Sequence, residues 1–224
     1  MTTVAQDLAP GGVLRASINL GNPVLAQGTA EAPAGVTVDI ARELARRLEL
    51  SLELVCFDAA RKSFEAMTTG RADLCFLAVD PARAAEVAFT APYVVIEGVY
   101  AVPAESALTT VAEVDAPGVR IGVKQGSAYD LYLTRTLQHA TVVRGNEGVE
   151  VFQAEGLEAA AGIREPITEY VAANPDVRLI DERFMQIQQA VGTLKTRRPE
   201  AIAYLSNVIE ELKTNGFIAA SLSK

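Results

Sequence analysis

The sequence predicts an α/β protein of two lobes with mostly parallel sheets, and three observations lead to this prediction. Segments typical of strands alternate along most of the chain with segments whose apolar residues recur at helical spacing. Residues 72–79 are almost continuously apolar, as expected of a parallel strand that is covered on both faces. The alternation starts again after a proline-bounded linker at residues 103–106, which predicts a second lobe.

The first series of elements runs from a strand near the start of the chain to this linker. Residues 38–48 place their apolar side chains on one helical face. Gly70 ends a short helix, because glycine is favoured just past a helix C-terminus. The predicted order is strand 13–20, helix 38–48, strand 50–57, helix 62–69, strand 72–79, a short helix from Pro81, and strand 94–102.

The second series has the same alternation and finishes with a long amphipathic helix that is expected to return to the first lobe. Pro166 is compatible with a helix because it falls in the first turn. Gly216 closes the last helix. The predicted order is strand 119–123, helix 129–137, strand 142–143, helix 148–155, strand 157–163, helix 164–171, extended segments 177–180 and 186–194, and helix 200–215.

Composition and charge narrow the possible partners. Half of the 224 residues are hydrophobic, which is enough to bury a sizeable core. The net charge of −8 argues against nucleic acid as a partner, since phosphate binding needs clustered Lys and Arg. No apolar run approaches the roughly 18 residues that span a bilayer. The first residues do not resemble a signal peptide, so we expect either that one was removed or that the protein stays in the cytoplasm.

Reactive side chains are few. Cys56 and Cys75 lie in apolar predicted strands, so we expect core thiols, with a disulfide between neighbouring strands as the alternative. A metal site needs more ligands than this chain supplies. His139 is the single histidine, so a Ser-His-Asp triad or a catalytic Cys-His pair could form only if it includes His139. We therefore predict no catalytic residue, no metal and no cofactor.

Five segments resemble, in order, the motifs of the family 3 solute-binding proteins of polar amino-acid ABC importers, which have the type II periplasmic-binding-protein fold. Each segment alone is a weak signal, but their order and spacing are specific for the fold, and they span most of the chain. The segments are GVTVDIARELARRL at residues 35–48, MTTGRADL at 67–74, DPARAAEVAFTAPY at 80–93, GVKQGS at 122–127 and ELKTNGF at 211–217.

The resemblance implies two α/β lobes with two interlobe crossings, near residues 98–102 and 188–192. Lobe 1 would comprise residues 1–98 and 192–224, and lobe 2 residues 99–191. A small solute would bind in the interlobe cleft, and the lobes would close on it by a hinge motion. The resemblance also implies delivery of the solute to a membrane ABC permease in the periplasm, and we expect a monomer.

Two positions carry the main expectation for anion binding. A small anion is held well by a fixed guanidinium together with backbone N–H groups at a helix start. Arg83 matches the family arginine that binds the ligand's α-carboxylate. The alternative is that Arg83 is a surface arginine that caps its own helix. Ser127 would present its hydroxyl and amide to the same carboxylate, with Gly126 allowing close backbone approach; the alternative for Ser127 is a helix N-cap.

Departures from the family motifs bear on the ligand. The family aspartate that binds the α-amino group follows a strand that here reads IREP at residues 163–166, so Arg164 stands in the acidic position. An arginine there repels an ammonium group and attracts a second anion. We therefore expect a small acid that need not be an α-amino acid, flanked by Arg83 and Arg164 from opposite lobes. Asp80 or Glu165 could still recruit an amine.

The remaining candidate ligand residues have equally plausible structural roles. Asn19 and Asn22 follow the first strand and are either amide contacts or turn residues ahead of Pro23. Phe57 is either an aromatic contact or a core residue. Gln189 lies on the returning crossing and is a weaker candidate contact.

Two other functions compete with solute binding. An enzyme on the same fold, similar to the cyclohexadienyl dehydratases, would need a positioned general acid. Glu165 and Asp80 are the obvious carboxylates, but no His or Lys partner stands at a matched position. A cytoplasmic sensor, similar to the effector half of a LysR-type regulator, fits the missing signal peptide, but the chain shows no helix-turn-helix segment and no basic face.

Overall fold

The computed structural model describes residues 2–224, and its strands and helices alternate as the sequence predicts. The first ten elements are α1 (Thr3–Leu8), β1 (Val13–Asn19), β2 (Gln27–Gly28), β3 (Pro33–Ala34), α2 (Val36–Leu48), β4 (Ser51–Phe57), α3 (Ala60–Thr68), β5 (Leu74–Ala78), α4 (Pro81–Ala84) and β6 (Val87–Phe89). The remaining elements are β7 (Val94–Pro103), α5 (Val111–Val114), β8 (Arg120–Lys124), α6 (Ala128–Thr136), β9 (Thr141–Gly145), α7 (Gly148–Glu155), β10 (Ala159–Ile163), α8 (Arg164–Ala173), β11 (Val177–Leu194), α9 (Pro199–Thr214) and α10 (Phe217–Leu222).

The chain divides into two compact units. Unit 1 contains the residues up to Val94 together with Gln188–Lys224, and unit 2 contains Val95–Ile187. Unit 1 is therefore discontinuous in sequence. The resemblance implied boundaries after residues 98 and 191, and the chain changes unit a few residues before each of them. The implied boundaries stay a prediction.

The sheet of unit 1 has parallel strands at its centre. β1 pairs in parallel with β4 on one side and with β5 on the other. The C-terminal part of β11 then pairs antiparallel with β5 and with β6. The apolar run predicted as a buried strand is β5, and every one of its residues is buried.

Helices cover both faces of this sheet. The larger core lies between the sheet and the helices α1, α2, α9 and α10, and it includes the fully buried residues Leu14, Ile18, Leu44, Leu74 and Ile209. A smaller cluster under α3 contains Ala66, Met67, Cys75 and Leu77. Alternate residues of β5 thus enter opposite layers, as the pleat of a strand requires.

A buried carboxylate ties the strands of unit 1 to the segment that precedes α9. Asp73, which is 1% exposed, accepts hydrogen bonds from the backbone N, Nε and Nη2 of Arg15 at 3.0, 3.0 and 2.8 Å. Arg197, just before α9, adds a further bond at 3.2 Å. Asp73 therefore links β1, the start of β5 and the C-terminal segment.

One glycine is required at the entry to α2. Gly35 precedes the helix with φ at +105°, in the left-handed region. A Cβ there would lie 2.6 Å from the carbonyl oxygen of Leu25. Only glycine satisfies both the dihedral angle and the close approach.

The strands of unit 2 repeat the pattern of parallel strands with an antiparallel neighbour. β8 pairs in parallel with β9 and with β10, and β10 pairs antiparallel with β7. β11 lies next to β7 in the strand order. The core contains Val99, Ala101, Phe152, Leu157, Ala160 and Ile167.

The structure differs from the predicted elements at β11 and at six short elements, which are α1, β2, β3, β6, α5 and α10. The two extended segments predicted at 177–180 and 186–194 are one continuous strand of 18 residues. The intervening residues Asp181, Glu182 and Arg183 are exposed, so they carry no apolar signal for a strand. The six short elements were not predicted, because each is too short to show a periodic pattern.

Candidate functional site

The carboxyl ends of the parallel strands in unit 1 bring most of its predicted ligand residues to one edge. β1 and β4 end at the paired residues Asn19 and Phe57. β5 ends at Ala78, which pairs with Gln189 of β11. Asn22, Asp80 and Arg83 follow at the same edge, in the loops after β1 and β5. In α/β proteins ligands bind outside the carboxyl ends of the strands.

Arg83 is held inside this edge of unit 1. The residue is 3% exposed, so it is not the surface arginine considered as the alternative. It lies in the short helix α4, and its Nη1 donates to the carbonyl oxygen of Ala78 at 3.1 Å. Burial lowers the pKa of the guanidinium below its ordinary value, although the nearby charge of Asp80 acts in the opposite direction.

Asp80 fixes the loop that carries Arg83. Its side chain is the N-cap of α4 and accepts a hydrogen bond from the backbone N–H of Ala82 at 2.9 Å. The residue is 4% exposed. One carboxylate oxygen is thus engaged in capping, as is usual for aspartate at a helix start. The predicted recruitment of an amine by Asp80 stays a prediction.

Asn19 and Asn22 differ in what their side chains do. The Oδ1 atom of Asn19 accepts from the backbone N–H of Gly21 at 3.0 Å, which is the turn role considered as its alternative. Asn22 is 5% exposed, and its Oδ1 atom has no hydrogen-bond partner. A buried acceptor without a donor is destabilising by itself. Asn22 therefore has an acceptor that a ligand hydroxyl or N–H could satisfy.

A cavity of about 330 Å³ opens beside Phe57. Its walls are mostly apolar, and a charged pair stands among the lining residues, where Lys62 Nζ lies 2.7 Å from Asp58 Oδ1. Phe57 itself is half-buried, with the guanidinium of Arg71 5.6 Å from its ring centroid. The lining residues are Leu20, Ala30, Cys56, Phe57, Asp58 and Lys62.

In unit 2 the remaining predicted residues also follow the carboxyl ends of parallel strands. β8 is followed by the loop with Gly126 and Ser127, and β10 is followed directly by Arg164 and Glu165. β8 and β10 are neighbours in the sheet. Glu165 is exposed in the first turn of α8.

Ser127 and Gly126 form a fixed helix start. Ser127 is the N-cap of α6, and its Oγ accepts from the N–H of Asp130 at 3.1 Å, which is the role considered as its alternative. Gly126 has φ at +71°, and its N–H donates to Asp130 Oδ2 at 2.8 Å. Arg144 Nε binds the carboxylate of Asp130 at 3.0 and 3.1 Å.

Sequence reasoning missed Asp130 as the residue that organises this loop. It is 3% exposed and receives bonds from both sides of the turn. The signal available was the spacing Ser127-Ala-Tyr-Asp130, which is close to a capping box with aspartate in the place of glutamate.

Arg164 is bound by protein carboxylates. Its Nε donates to Glu97 Oε2 at 2.6 Å, its Nη1 to Asp181 Oδ1 at 2.9 Å, and its Nη2 to the carbonyl oxygen of Asp181 at 2.6 Å. Arg183 Nη1 also donates to Glu97, at 3.0 Å. The two guanidinium groups hold the pKa of Glu97 below its ordinary value. The predicted contact of Arg164 with an anion stays a prediction, and its charge is already balanced within unit 2.

The described residues show neither a metal site nor a membrane span. No group of three or more His, Cys, Asp or Glu side chains in residues 2–224 is placed to hold a metal ion. No helix in that range combines the length and apolar content that crossing a bilayer requires. Cys56 and Cys75 are free thiols, and burial raises the pKa of Cys75 to about 12.

Solved structures similar to this chain include an ArgBP, an amino acid ABC transporter substrate-binding protein and an ancestral amino acid-binding protein. A mutant of ArgBP from T. maritima has a TM-score of 0.79 at 20% identity, covering 98% of this chain and 97% of that one. AbpA, an amino acid ABC transporter substrate-binding protein from Streptococcus pneumoniae bound to L-arginine, has a TM-score of 0.79 at 18% identity, covering 97% and 96%.

The ancestral amino acid-binding protein AncCDT-1, a precursor of cyclohexadienyl dehydratase, has a TM-score of 0.77 at 20% identity, covering 99% of this chain and 97% of that one. At these identities the likeness establishes the fold, and it confirms the α/β periplasmic-binding-protein fold predicted from the sequence. No curated protein sequence matches the chain.

A family model gives the assignment. The model of the bacterial extracellular solute-binding proteins, family 3, matches residues 19–224, which include all ten predicted ligand residues. Because the match spans nearly the whole chain, this protein belongs to the bacterial extracellular solute-binding proteins of family 3.

Proposed function

We propose that this protein binds a small carboxylate-bearing solute, an amino acid or a related organic acid, without changing it chemically, and delivers it to a membrane ABC permease. Membership of the solute-binding family establishes the general role. We further propose a periplasmic location, which is supported by membership of this family, and a monomeric state.

The burial of Arg83 is the observation that supports a carboxylate group on the ligand. A guanidinium that is 3% exposed needs nearby negative charge, because burying an uncompensated ion is expensive. Burial lowers the pKa of this guanidinium, and the nearby charge of Asp80 acts in the opposite direction. A solute carboxylate would place further negative charge beside this guanidinium and match its fork in two parallel hydrogen bonds.

The other predicted ligand residues remain part of the proposal, with different support. Asn22 is supported by its unpartnered acceptor, and Phe57 by the apolar cavity that it lines. The other contacts rest on their placement at the carboxyl ends of the strands. These are Asn19, Asp80 and Gln189 in unit 1 and Gly126, Ser127, Arg164 and Glu165 in unit 2.

The test is titration calorimetry with a panel of carboxylic acids and amino acids. Arg83→Ala removes two charge-assisted hydrogen bonds, so we expect the affinity for every bound acid to fall about 100-fold or more. Arg42→Ala is the matched control, because Arg42 is 58% exposed in α2 and its removal deletes the same charge from the same unit. Arg83→Lys keeps the charge but loses the fork, so it should bind with intermediate affinity.

Circular dichroism of each variant separates loss of binding from loss of folding. If a folded Arg83→Ala variant binds the same acids as tightly as the Arg42→Ala control does, Arg83 is not the carboxylate contact. If the unaltered protein binds no acid or amino acid in the panel, the proposed ligand class is wrong.

We also propose that this protein is not an enzyme. The likeness to AncCDT-1 makes a dehydratase of this fold the specific alternative. Asp80, one of the two candidate general acids, is engaged as a helix cap, and the other, Glu165, is exposed in its helix. We therefore expect no turnover of prephenate in a spectrophotometric assay. Turnover that disappears in Glu165→Gln would instead establish an enzyme.

A further inference from the structure

One cavity of unit 1 is here called the Phe57 cavity, and it is lined by Leu20, Ala30, Cys56, Phe57, Asp58 and Lys62. It lies beside the carboxyl ends of two neighbouring strands, because Leu20 follows β1 and Phe57 ends β4. Ala30 adds a wall from the turn between β2 and β3. A volume of about 330 Å³ with mostly apolar walls and few polar groups is typical of a small-molecule site.

The turn that carries Ala30 has a fixed shape. β2 and β3 pair antiparallel, with Gly28 opposite Pro33. Gly28 has φ at +89°, and a Cβ there would lie 2.3 Å from the carbonyl oxygen of Ala32. Glycine is therefore required at this position, and the tight hairpin that it allows holds Ala30 against the cavity.

The charged groups around the Phe57 cavity offer little to a charged ligand. Lys62 Nζ lies 2.7 and 2.9 Å from the two carboxylate oxygens of Asp58, so this pair has no net charge. Glu31, in the hairpin turn, is exposed, and hydrogen bonds from its own backbone and from Thr29 lower its pKa. An ion pair with an exposed carboxylate adds little affinity. Each buried methylene group, in contrast, raises an affinity roughly fourfold.

The Phe57 cavity lies close to Arg83 within unit 1. β1 pairs with β5 through Ser17 and Cys75, and the same register continued along both chains places Leu20 opposite Ala78. Arg83 Nη1 donates to the carbonyl oxygen of Ala78 at 3.1 Å. Because neighbouring strands are about 5 Å apart, one molecule of several carbon atoms can reach from the guanidinium to the cavity.

We propose that the solute is a carboxylic acid with an apolar tail, whose carboxylate binds Arg83 and whose tail fills the Phe57 cavity. This inference rests on the proposed function, because it specifies the rest of the molecule whose carboxylate Arg83 binds. Both contacts lie in unit 1. An open tail or a ring of about four to six carbon atoms fits the volume of the cavity.

Titration calorimetry with paired acids tests the apolar tail. Hexanoate and 6-aminohexanoate differ only in a terminal ammonium group. Norleucine and lysine differ in the same way, but both also carry an α-amino group. In each pair we expect the apolar member to bind about tenfold more tightly. From propionate to hexanoate, the affinity should rise about threefold for each added carbon atom.

Ala30→Phe tests whether the tail lies in the Phe57 cavity. Ala30 is exposed in the hairpin turn, so a larger side chain can be accommodated and occupies the cavity. We expect the affinity for hexanoate to fall about tenfold, and that for propionate to stay within about threefold. Ala32→Phe is the matched control, since Ala32 is exposed in the same turn and does not line the cavity. Its affinities should equal those of the unaltered protein.

The thiol of Cys56 reports directly on occupation of the cavity. Cys56 lines the cavity, whereas Cys75 is completely buried. Saturating hexanoate should slow the labelling of Cys56 by a thiol reagent about tenfold, because the tail covers the thiol. Saturating propionate should leave the rate unchanged. This measurement uses the unaltered protein, so it does not depend on how well a variant folds.

Several results would refute the inference. They are equal or tighter binding of the charged member of either pair, an unchanged affinity for hexanoate in folded Ala30→Phe, and unprotected Cys56 at saturating hexanoate. Protection of Cys56 by 1-hexanol as strong as that by hexanoate at the same concentration would also refute it, since the cavity would then be a site separate from Arg83. In each case a loss of acid binding in Arg83→Ala would leave the proposed function standing. If the unaltered protein binds no acid, the proposed ligand class and this inference are both wrong.

Discussion

The contacts of Asp73 predict how strongly one buried carboxylate stabilises unit 1. Its side chain, 1% exposed, accepts four hydrogen bonds from Arg15 and Arg197. Asp73→Asn keeps the volume but removes the charge and turns one acceptor into a donor that faces other donors. Removing one partner of a buried ion pair typically costs 3–5 kcal/mol.

The expected loss lies at the lower end of that range. The Arg15 side chain is 35% exposed and that of Arg197 is 17% exposed, so water can solvate both after the substitution. We therefore expect the free energy of unfolding to fall by about 3 kcal/mol. For a chain of this size the corresponding fall in Tm is roughly 6–12 °C.

Urea unfolding followed by circular dichroism measures this loss. The matched control is Glu65→Gln, because Glu65 is 62% exposed and its nearest cation, Arg71, is 3.9 Å away. Substitution at such an exposed site changes the free energy of unfolding by less than about 0.5 kcal/mol. If Asp73→Asn unfolds at the same urea concentration as this control, the reasoning about the buried carboxylate is wrong.

Two further predictions concern titration and thiol reactivity in unit 1. Hydrogen bonds from Arg46 and then Arg47 lower the pKa of Glu43 to about 2 from an ordinary 4.5, so its contribution to stability is complete above pH 4.5 and is lost as the pH falls towards 2. Urea midpoints measured across this range should fall less steeply for Glu43→Gln than for the unaltered protein, and parallel curves would contradict the assignment. Burial raises the pKa of Cys75 to about 12, whereas Cys56 is only half-buried. A thiol reagent at pH 8 should therefore label Cys56 in the folded protein and Cys75 only after unfolding, and rapid labelling of both would contradict the packing described here.

Most of the fold was predictable because its signals are local. The periodicity of residues 38–48 and the apolar run of β5 are each readable within about ten residues of sequence, and both elements are present. β11 was predicted in two pieces because the polar residues at its centre carry no such signal. The pairing of strands, and not local hydrophobicity, makes this segment extended.

The candidate site was predictable in position but not in its electrostatics. The spacing of the motifs placed Arg83 and Ser127 after strands, where the structure has them. The partners of Arg164 were not predictable, since Glu97 and Asp181 lie 67 and 17 residues away in the chain. Which charges neutralise one another depends on the tertiary fold, and the local sequence around Arg164 does not contain that information.

The discontinuity of unit 1 bears on the order in which the protein can fold during synthesis. Unit 2 is one uninterrupted stretch, Val95–Ile187, so all of its residues leave the ribosome before unit 1 is complete. The first part of unit 1 emerges without the final strand next to β5, without α9 and without Arg197, the second partner of Asp73. Its apolar face therefore stays open until β11 and α9 have been synthesised, and an apolar face exposed in this way favours aggregation or the binding of a chaperone.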